Sequence, residues 1–503
     1  MIKKALISVF YKNGLEPVAK KLHQLGVEIV STGGTYDFIE SLGIPVAKVE
    51  DLTQYPSIFG GRVKTLHPAV FGGILNRREN KQDIQEKTEY NISDIDLVIV
   101  DLYPFEEYLK KEATHEEIIE KIDIGGISLI RAAAKNYNDV VIIPSKDFYP
   151  YLLDILEKQG AETTLGQREY LAAQAFLTSS HYDTAIFGYF NRKFDIPAFA
   201  VNETEVRPLR YGENPHQKGA FFGDVSALPK QLHGKEISYN NMLDIEAALE
   251  LISDFDETTV AVIKHNNACG CASAATVKEA WERALAADPV SAFGGIIISN
   301  REIDKTTAEE INKIFFEVII APSYTKEALE TLKCKKNRII LVSDGVKCSD
   351  RRFRSMLGGI LVQDRDMVNE APDNLTVVTQ KAPSAEETDS LLFANKIVKH
   401  SKSNAIVIAK GNQMISSGIG QTSRVDALKQ AVEKAKSFGF TLNGAVLSSD
   451  AFFPFKDCVE IAAAEGITAI IQPGGSIRDN ESIESCNLHG IAMVTTGIRH
   501  FKH

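Results

Sequence analysis

The sequence has little that would suit a membrane or a nucleic-acid partner. No segment of its 503 residues reaches the run of about eighteen apolar residues that a membrane-spanning helix needs. Positive charge is not in excess, because 56 Lys and Arg face 67 Asp and Glu, for a net charge of -11. Local basic groups must therefore hold any anionic ligand. The first residues, MIKKALISVFYKNG, predict a strand rather than a signal peptide, and we expect a cytoplasmic protein.

Paired cysteines are also scarce. Six cysteines are scattered along the chain, and the only close pair, Cys269 and Cys271, has the spacing C-x-C. That spacing matches neither a zinc ribbon nor a disulfide scaffold, so we predict reduced thiols and no metal site. No repeat of fixed short period is present, which excludes a solenoid.

The composition is that of an ordinary globular protein, with 44% hydrophobic and 24% charged residues. Short β-rich runs such as ALISVF and DLVIVDLY alternate with amphipathic stretches from residue 4 onward, which predicts a parallel sheet with crossover helices. A segment rich in Pro, Asn and Glu follows at 195–217, and a second α/β series runs to the end. We predict an α/β protein with domains at 1–195, including a helical connector, and 196–503, the second built from two packed subdomains.

Four loops of the first domain carry residues suited to an anion. They are 31-STGGT-35, 60-GGRVKTLHPAV-70, 101-DLYPF-105 and 122-IDIGGISLIRAAAKN-136. Glycines let the backbone approach a ligand, and N–H groups at a helix start can hold a phosphate. Each loop alone is equally well explained as a simple turn or a solvated basic loop. Together they predict a ligand site, because open parallel sheets bind ligands at the ends of their strands.

The second domain raises a sharper question at 261-AVIKHNNACGCA-272. An apolar run typical of a buried strand ends in Lys264 and His265. Burying either side chain without a partner is costly, so the pair needs a reason. The alternative to a catalytic role is a surface lysine beside a hydrogen-bonded structural histidine.

Residues 1–160 resemble the methylglyoxal-synthase-like domain of a family of bifunctional purine-biosynthesis enzymes, the domain with IMP cyclohydrolase activity. The motifs that carry the resemblance are SVFYKNG, STGGT, GGRVKTLHPAVFGGIL, LYPF and IDIGGISLIRAAAKN, in that order. It implies closure of the purine ring of a formylated aminoimidazole carboxamide ribotide (FAICAR), with loss of water. Lys64 and Tyr103 would donate to the developing oxyanion, and Asp123 and Lys135 would move protons.

The same resemblance implies which residues hold the cyclohydrolase substrate. They are Lys12, Thr32, Gly33, Gly34, Thr35, Arg62, Thr65, Asp101 and Gly125. Arg131 lies in the last motif, where we expect a structural ion pair. One departure from the family pattern is Phe10 and Tyr11, which stand where a small polar pair is usual.

The second domain resembles the transformylase half of that family, which formylates aminoimidazole carboxamide ribotide (AICAR). The matching motifs include LRYGENPHQ, SYNNMLD, AVIKHNNACG, SAFGG, GQTSRVDA, SSDAFFPFKD, PGGS and TTGIRHF. The resemblance implies two cytidine-deaminase-like subdomains, 10-formyltetrahydrofolate as co-substrate, and a homodimer that shares its transformylase sites between chains. His265 would take the amine proton, and Lys264 would supply positive charge to the tetrahedral intermediate.

Contacts in this half also follow from the resemblance. AICAR would be held by Arg210, Tyr211, Asn241, Gly294, Glu317, Asn404, Arg424, Phe452 and Arg499, with Arg210, Arg424 or Arg499 on its phosphate. Folate would be held by Val425, Pro454, Asp457, Gly474 and Gly475. The stretch 416-SSGIGQTSR-424 departs from the family by carrying serines where a Gly-Ile pair is common. Glu317 has an alternative role as the cap of a solvated helix.

Two other functions compete with this interpretation. A zinc-dependent deaminase needs H-x-E with P-C-x-x-C, but the only H-x-E begins at His115 and no C-x-x-C follows it. A non-catalytic sensor of phosphorylated ligands is the second. The combination of Lys64, Tyr103, Asp123 and Lys135 argues against a sensor, because anion binding does not call for an acid and a phenol beside the cations.

Overall fold

The computed structural model describes residues 1–503, which form two compact units, Met1–Thr204 and Glu205–His503. The last helix of the first unit ends at Asn191 and the first strand of the second begins at Val206. The domain boundary expected after residue 195 falls within this connection, which has no helix or strand to fix an exact point.

The first unit is a five-stranded parallel sheet covered by helices. Its strands are β1 (Lys4–Val9), β2 (Glu28–Ser31), β3 (Ala47–Lys48), β4 (Leu97–Asp101) and β5 (Val141–Ile143), in the order β3-β2-β1-β4-β5. Its helices are α1 (Leu15–Gln24), α2 (Gly33–Ser41), α3 (Val49–Thr53), α4 (Pro68–Leu75), α5 (Lys81–Glu89), α6 (Phe105–Lys110), α7 (His115–Ile119), α8 (Gly125–Lys135), α9 (Tyr149–Gln159) and α10 (Leu165–Asn191). The predicted parallel sheet is confirmed. Because helices cover its faces, β4 and β5 are buried throughout and carry almost only apolar side chains.

The second unit contains two six-stranded sheets. Its strands are β6 (Val206–Leu209), β7 (Gly219–Phe222), β8 (Lys230–His233), β9 (Thr259–Lys264), β10 (Asn267–Ser273), β11 (Ile296–Ser299), β12 (Val318–Ala321), β13 (Ile339–Val342), β14 (Arg351–Met356), β15 (Gly359–Asp364), β16 (Thr376–Val377), β17 (Ile406–Ala409), β18 (Met414–Gly418), β19 (Val446–Ser449), β20 (Ala469–Gln472) and β21 (Ala492–Thr495). Its helices are α11 (Tyr239–Ile252), α12 (Val277–Ala287), α13 (Pro289–Ala292), α14 (Lys305–Ile311), α15 (Lys326–Leu332), α16 (Ala385–Lys399), α17 (Arg424–Ser437), α18 (Asp457–Ala464) and α19 (Asp479–His489).

The two sheets have the same topology. Their strand orders are β10-β9-β11-β12-β13-β8 and β18-β17-β19-β20-β21-β16. In each sheet an antiparallel hairpin pairs with a third antiparallel strand, two parallel neighbours follow, and an antiparallel strand closes the far edge. The expectation of two comparable α/β subdomains is confirmed.

One apolar core joins the subdomains. Leu251 of α11 and Ile397 of α16 belong to the same buried cluster as strand residues from both sheets. The outer strands β10 and β18 also meet, because the N–H of Ser273 donates to the carbonyl of Asn412 (2.9 Å) and Ala272 forms a bridge with Gln413. The two subdomains therefore form one body.

The hairpin β14–β15 lies outside both sheets. Its tip residue Leu357 is fully exposed, and Leu361 and Val362 remain 53% and 46% exposed. A two-stranded hairpin with exposed apolar side chains is marginal by itself.

Two further observations bear on the predictions from composition. All six cysteines are unpaired, and four of them are buried. No helix combines the length and apolarity needed to cross a membrane.

Gly418 provides a test of how closely helices cover these sheets. A Cβ on Gly418 in β18 would lie well inside van der Waals contact of the Ala427 carbonyl oxygen in α17. Backbone cannot yield as a flexible side chain does, so we expect Gly418→Ala to cost about 1–3 kcal/mol or more and to lower the midpoint of urea unfolding.

The matched control is Gly359→Ala in β15, where the nearest atom to a new Cβ is 3.6 Å away. Equal midpoints for the two variants would contradict this packing.

Candidate active sites

The loop between β2 and α2 is tied to the end of β1. The hydroxyl of Thr35 donates to the carbonyl of Val9 (2.9 Å) and accepts from its N–H (3.2 Å), and the Thr32 hydroxyl lies 3.1 Å from that of Ser8. Gly33 begins α2 with φ of +42°. The predicted anion loop is thus fixed at the carboxyl edge of the sheet, where the start of α2 can face an anion.

Three of the predicted catalytic residues converge at this edge. The Lys64 ammonium lies 3.8 Å from the place a Cβ on Gly33 would take. Burial raises the pKa of Asp123, against hydrogen bonds from the N–H groups of Gly126 (2.6 Å) and Tyr103 and the nearby charge of Lys64. Burial, with the charge of Asp123, also raises the pKa of Tyr103. A cation, a phenol and a carboxyl therefore share one site.

Some of the predicted substrate-binding side chains of this unit already have hydrogen-bond partners within the protein. The Lys12 ammonium donates to the carbonyls of Val9 (2.7 Å) and Phe10 (2.9 Å), and burial lowers its pKa. Asp101 is buried at the end of β4 and accepts from the N–H of Tyr11 (3.1 Å). These two side chains therefore hold the strand ends together.

Arg62 and Thr65 lie on the glycine-rich loop that carries Lys64. The Thr65 hydroxyl is 3.0 Å from where a Cβ on Gly125 would lie, so this glycine is needed for the loop to approach α8. Arg62 is exposed and pairs with Glu120 at the surface.

Two predictions in this unit meet different geometry. Lys135 is exposed at the last turn of α8, whereas Asp123 precedes its first turn, so their backbones lie about 15 Å or more apart along the helix axis. The structure does not bring Lys135 to the cluster.

The ion pair predicted for Arg131 is wrong. Its guanidinium donates to the Ser179 hydroxyl (3.1 Å) and lies over the Phe176 ring of α10, and it pairs with no carboxylate.

The departure at Phe10 and Tyr11 builds an aromatic cluster beside Tyr103. The Phe10 ring meets the rings of Tyr11 and Tyr103 edge-on, with centroids 4.9 and 5.5 Å apart. The Tyr11 hydroxyl donates to Glu107 (2.6 Å), a hydrogen bond that raises the pKa of Tyr11 to about 12. An aromatic wall thus replaces the small polar pair expected from the family.

In the second unit, Lys264 and His265 lie at the turn of a β-hairpin. Strands β9 and β10 pair antiparallel, and the two residues between them, His265 and Asn266, have φ of +51° and +64°. Positive φ at both central positions defines a type I′ turn, a conformation in which Asn and His are enriched among residues with a side chain. The predicted strand end is confirmed, but the sequence pattern did not reveal the hairpin.

This turn fixes one side chain and leaves the other free. The Lys264 ammonium donates to the carbonyl of Phe293 (2.7 Å), and a Cβ on Gly294 would lie 3.3 Å from it. The His265 imidazole is exposed and makes no hydrogen bond within the chain. Both nitrogens of His265 are therefore available to a substrate.

Two acidic residues lie near the turn. The Asp244 carboxylate accepts from the N–H of Asn266 (2.6 Å), and burial raises its pKa despite that bond and the charges of His265 and Lys264. Glu317 pairs with Lys235 (3.1 Å) and accepts from Asn241 (3.3 Å). Glu317 directly precedes β12, so the alternative of a helix cap is excluded.

A cleft of about 260 Å³ opens beside the turn, between β10 and β18. Lys264 and His265 line it from the first subdomain, and Ser417 and Lys434 from the second. None of the other predicted substrate or folate residues lines this cleft.

A second group of predicted AICAR residues surrounds Arg424. This side chain is buried at the start of α17, where it pairs with Asp450 and donates to Ser449 (2.8 Å) and to Asn404 (2.7 Å). Its guanidinium is thus already engaged.

The other two arginines are exposed. Arg210 bonds the hydroxyl of Tyr211, and Arg499 lies 4.4 Å over the ring of Phe501. Phe452 is 38% exposed. Arg210 and Arg499 are therefore the freer candidates for a phosphate.

The predicted folate residues cluster near the ends of strands in the second subdomain. Pro454 and Asp457 follow β19, and Gly474 and Gly475 follow the neighbouring β20; Val425 lies in the first turn of α17. The N–H groups of Gly475 and Ser476 donate to Asp479 (2.7 and 3.1 Å). These residues occupy the carboxyl edge of the parallel strands.

Comparisons with known proteins bear on both units. The family model described as AICARFT/IMPCHase bienzyme matches residues 133–434, and that of the MGS-like domain matches residues 14–128. The chain belongs to the AICARFT/IMPCHase bienzyme family. It is a bifunctional enzyme of purine biosynthesis, an AICAR formyltransferase and IMP cyclohydrolase, as the motifs predicted.

Relatives named "Bifunctional purine biosynthesis protein PurH" span the whole chain. The protein of Bacteroides thetaiotaomicron is 63% identical and covers 100% of this chain and 99% of its own. That of Acetivibrio thermocellus is 50% identical with 100% of both covered, and that of Aquifex aeolicus is 49% identical with 99% and 100% covered.

The zinc-deaminase alternative also lacks its ligand set. His115, the start of the only H-x-E, bonds the Tyr189 hydroxyl (2.6 Å) in the first unit. The chain contains no group of three or more His, Cys, Asp or Glu side chains arranged to hold a metal ion.

His500, beside Arg499, is a residue that no sequence signal singled out. Its ring is buried and bonds Asp366 through Nδ1 (2.6 Å) and Glu370 through Nε2 (2.8 Å). Burial alone would lower the pKa of His500, but these two carboxylates outweigh it and raise the pKa to about 9. The C-terminal segment that presents Arg499 is thereby fastened by a charged imidazole.

We expect His500 to make stability depend on pH. Its folded pKa of about 9 exceeds the ordinary value of about 6.5, so its contribution is complete below about pH 6.5 and is lost as the pH rises through about 9. The contribution amounts to about 3 kcal/mol at most. The measurement is urea unfolding of wild type and His500→Gln from pH 6 to 10, as a difference between the two proteins. A difference that stays constant with pH would contradict the assignment.

Proposed function

We propose that each unit carries one of the two activities. The Met1–Thr204 unit closes the purine ring, and the Glu205–His503 unit transfers the formyl group of 10-formyltetrahydrofolate to AICAR. The observation that carries the proposal is the hairpin turn in which the anchored ammonium of Lys264 stands beside the unpartnered imidazole of His265. The cluster of Lys64, Tyr103 and Asp123 supports the role of the first unit.

Formyl transfer needs a base and a group that stabilises an oxyanion, because an aromatic amine is a weak nucleophile. His265 takes the proton from the amine as its nitrogen bonds to the formyl carbon. The formyl oxygen becomes an oxyanion, which the Lys264 ammonium stabilises. The intermediate collapses when the bond from the formyl carbon to N10 of the folate breaks and that nitrogen takes up a proton. The products are FAICAR and tetrahydrofolate.

The rigid placement of Lys264 and His265 lowers the activation barrier of formyl transfer. The Lys264 ammonium is held by the Phe293 carbonyl at 2.7 Å, and the turn is held by Asp244 at 2.6 Å. A pair held in this way needs no reordering when the substrate binds, and such placement lowers a barrier by several kcal/mol, up to roughly ten in model systems.

Ring closure joins the carboxamide nitrogen of FAICAR to its formyl carbon. Lys64 and Tyr103 donate to the oxygen that develops negative charge, and Asp123 moves a proton as that oxygen leaves as water. The raised pKa of Asp123, caused mainly by burial, suits a carboxyl that must exchange a proton. The distance of Lys135 from this cluster leaves its role without support from position.

We assign the ligand contacts by site. FAICAR contacts Lys12, Thr32, Gly33, Gly34, Thr35, Arg62, Thr65, Asp101 and Gly125, and AICAR contacts Arg210, Tyr211, Asn241, Gly294, Glu317, Asn404, Phe452 and Arg499. The folate contacts Val425, Pro454, Asp457, Gly474 and Gly475. Arg210 and Arg499 suit the phosphate, since each is exposed. Arg424 orients Asn404 through its 2.7 Å hydrogen bond.

We further propose a homodimer whose transformylase sites combine residues of two chains. The exposed apolar hairpin β14–β15 supports a second copy as its partner, because Leu361 and Val362 are about half exposed and the hairpin is marginal alone. The small-molecule substrates call for no nucleic acid. A cytoplasmic location and independence of metal stay predictions.

His265→Ala tests the division of activities. We expect formyl transfer to fall at least about a hundredfold, because the base is lost, while closure of supplied FAICAR stays within about twofold of wild type. Lys64→Ala serves as the reciprocal variant, and we expect it to lose ring closure and to keep formyl transfer. Each reaction is assayed separately, by tetrahydrofolate release and by IMP formation. Equal loss of both reactions in either folded variant would falsify the division.

Mixing two inactive variants tests the shared site. His265→Ala and Asn404→Ala are combined, unfolded together and refolded. If His265 and Asn404 of one site come from different chains, half of the dimers regain one intact site, and formyl transfer returns to about a quarter of wild type. If both come from one chain, every site keeps a defect and the mixture stays inactive. Refolded samples of each variant alone are the controls.

A further inference from the structure

The position of the Lys264 ammonium depends on a very short helix. Its acceptor, the Phe293 carbonyl, directly follows the four-residue helix α13. A helix of this length has no stability of its own and relies on its cap. Asp288 provides that cap, because one oxygen of its carboxylate accepts from the N–H of Ser291 (2.8 Å) and its carbonyl accepts from that of Ala292 (3.1 Å).

The other oxygen of the Asp288 carboxylate reaches the second subdomain. It lies 2.5 Å from the ammonium of Lys434, which lies in the last turn of α17. The Asp288 side chain is 1% exposed and that of Lys434 is 28% exposed. A carboxylate buried to this degree without a partner would be expensive, so Asp288 can cap α13 as a carboxylate only while the Lys434 ammonium pairs with it.

The pair also borders the reaction site. Lys264, Ser291 and Lys434 line the same cleft of about 260 Å³. Removing the pair would therefore alter the wall of the cleft beside Lys264 and His265.

We propose that Asp288 and Lys434 are positioning residues for formyl transfer, which fix α13 so that the Phe293 carbonyl holds the Lys264 ammonium against the oxyanion. The inference rests on the proposed role of Lys264. Displacement of that ammonium by about 1 Å can cost about a hundredfold in rate, although neither Asp288 nor Lys434 is assigned a contact with the substrate. Binding of AICAR and folate does not depend on the pair, so the loss falls on kcat.

The test compares three variants with wild type in the formyl-transfer assay. Lys434→Met leaves the buried carboxylate unpaired, and we expect kcat to fall about a hundredfold while KM for AICAR stays within about twofold. Asp288→Asn keeps an N-cap acceptor and should lose less than about tenfold. The double variant Asp288→Asn/Lys434→Met buries no charge and should recover to within about tenfold of wild type.

The matched control is Lys436→Met, which makes the same change on the same helix. Lys436 is 55% exposed and pairs with Glu465 (2.6 Å) at the surface, so kcat should not change. Urea unfolding and closure of supplied FAICAR report folding of each variant. If Lys434→Met alone does not fold, the double variant decides the outcome. A kcat within about tenfold of wild type supports the positioning role, and a loss of about a hundredfold contradicts it.

Three results would overturn the inference. The first is a folded Lys434→Met protein with wild-type kcat. The second is a folded double variant as slow as Lys434→Met, which would give the Lys434 charge a direct role. The third is a rise in KM that accounts for the whole loss.

Lys264→Ala in the same assay separates this failure from failure of the proposed function. If Lys264→Ala loses formyl transfer while Lys434→Met keeps full activity, the positioning role is contradicted and the proposed function stands. Full activity in Lys264→Ala contradicts the function on which it rests.

Discussion

The proposed transformylase chemistry depends on a two-residue turn with left-handed backbone. His265 and Asn266 both have positive φ, and the turn is held by the carboxylate of Asp244 on α11. This conformation directs the imidazole outward at the end of a buried strand, while Lys264, one residue earlier, still lies in the sheet register. A flexible loop would present the same side chains without fixing the distance between them. The cost of such a backbone is met by the surrounding structure, a common feature of functional sites.

The duplicated architecture of the second unit explains how contacts far apart in sequence reach this turn. Both sheets have the same strand order, and α11 and α16 share one core between them. Their outer strands β10 and β18 approach each other. The helices that follow these strands, α12 and α17, therefore each lie near the other subdomain of the same chain. As a result, Lys434 from the second subdomain can pair with Asp288 from the first. In the first unit, residues distant in sequence come together differently, because their loops lie at one edge of a parallel sheet.

Much of this arrangement was predictable because it follows local patterns. Alternating apolar runs predicted the sheets, and glycine-rich loops with basic residues predicted the edge where Lys64, Tyr103 and Asp123 meet. The contacts that hold the sites were not predictable, because they join distant segments: Asp244 to Asn266, Asp288 to Lys434, and His500 to Asp366 and Glu370.

The surroundings of several predicted residues also depend on tertiary context. Arg131 faces an aromatic ring and a serine rather than an acid, and Arg424 is already engaged by Asp450. Lys135 lies at the other end of α8 from Asp123. A motif gives the spacing of residues in sequence, but the axis of a helix decides which of them share a site.

Chemical rescue of His265→Gly tests the central claim most directly. Glycine suits the positive φ at this position and leaves room for a small base at an exposed turn. If the His265 imidazole takes the amine proton, added imidazole restores formyl transfer in proportion to its concentration, and more basic substituted imidazoles restore it faster, while ring closure does not respond. A folded variant that still binds AICAR and shows no response to any of these bases would contradict the account.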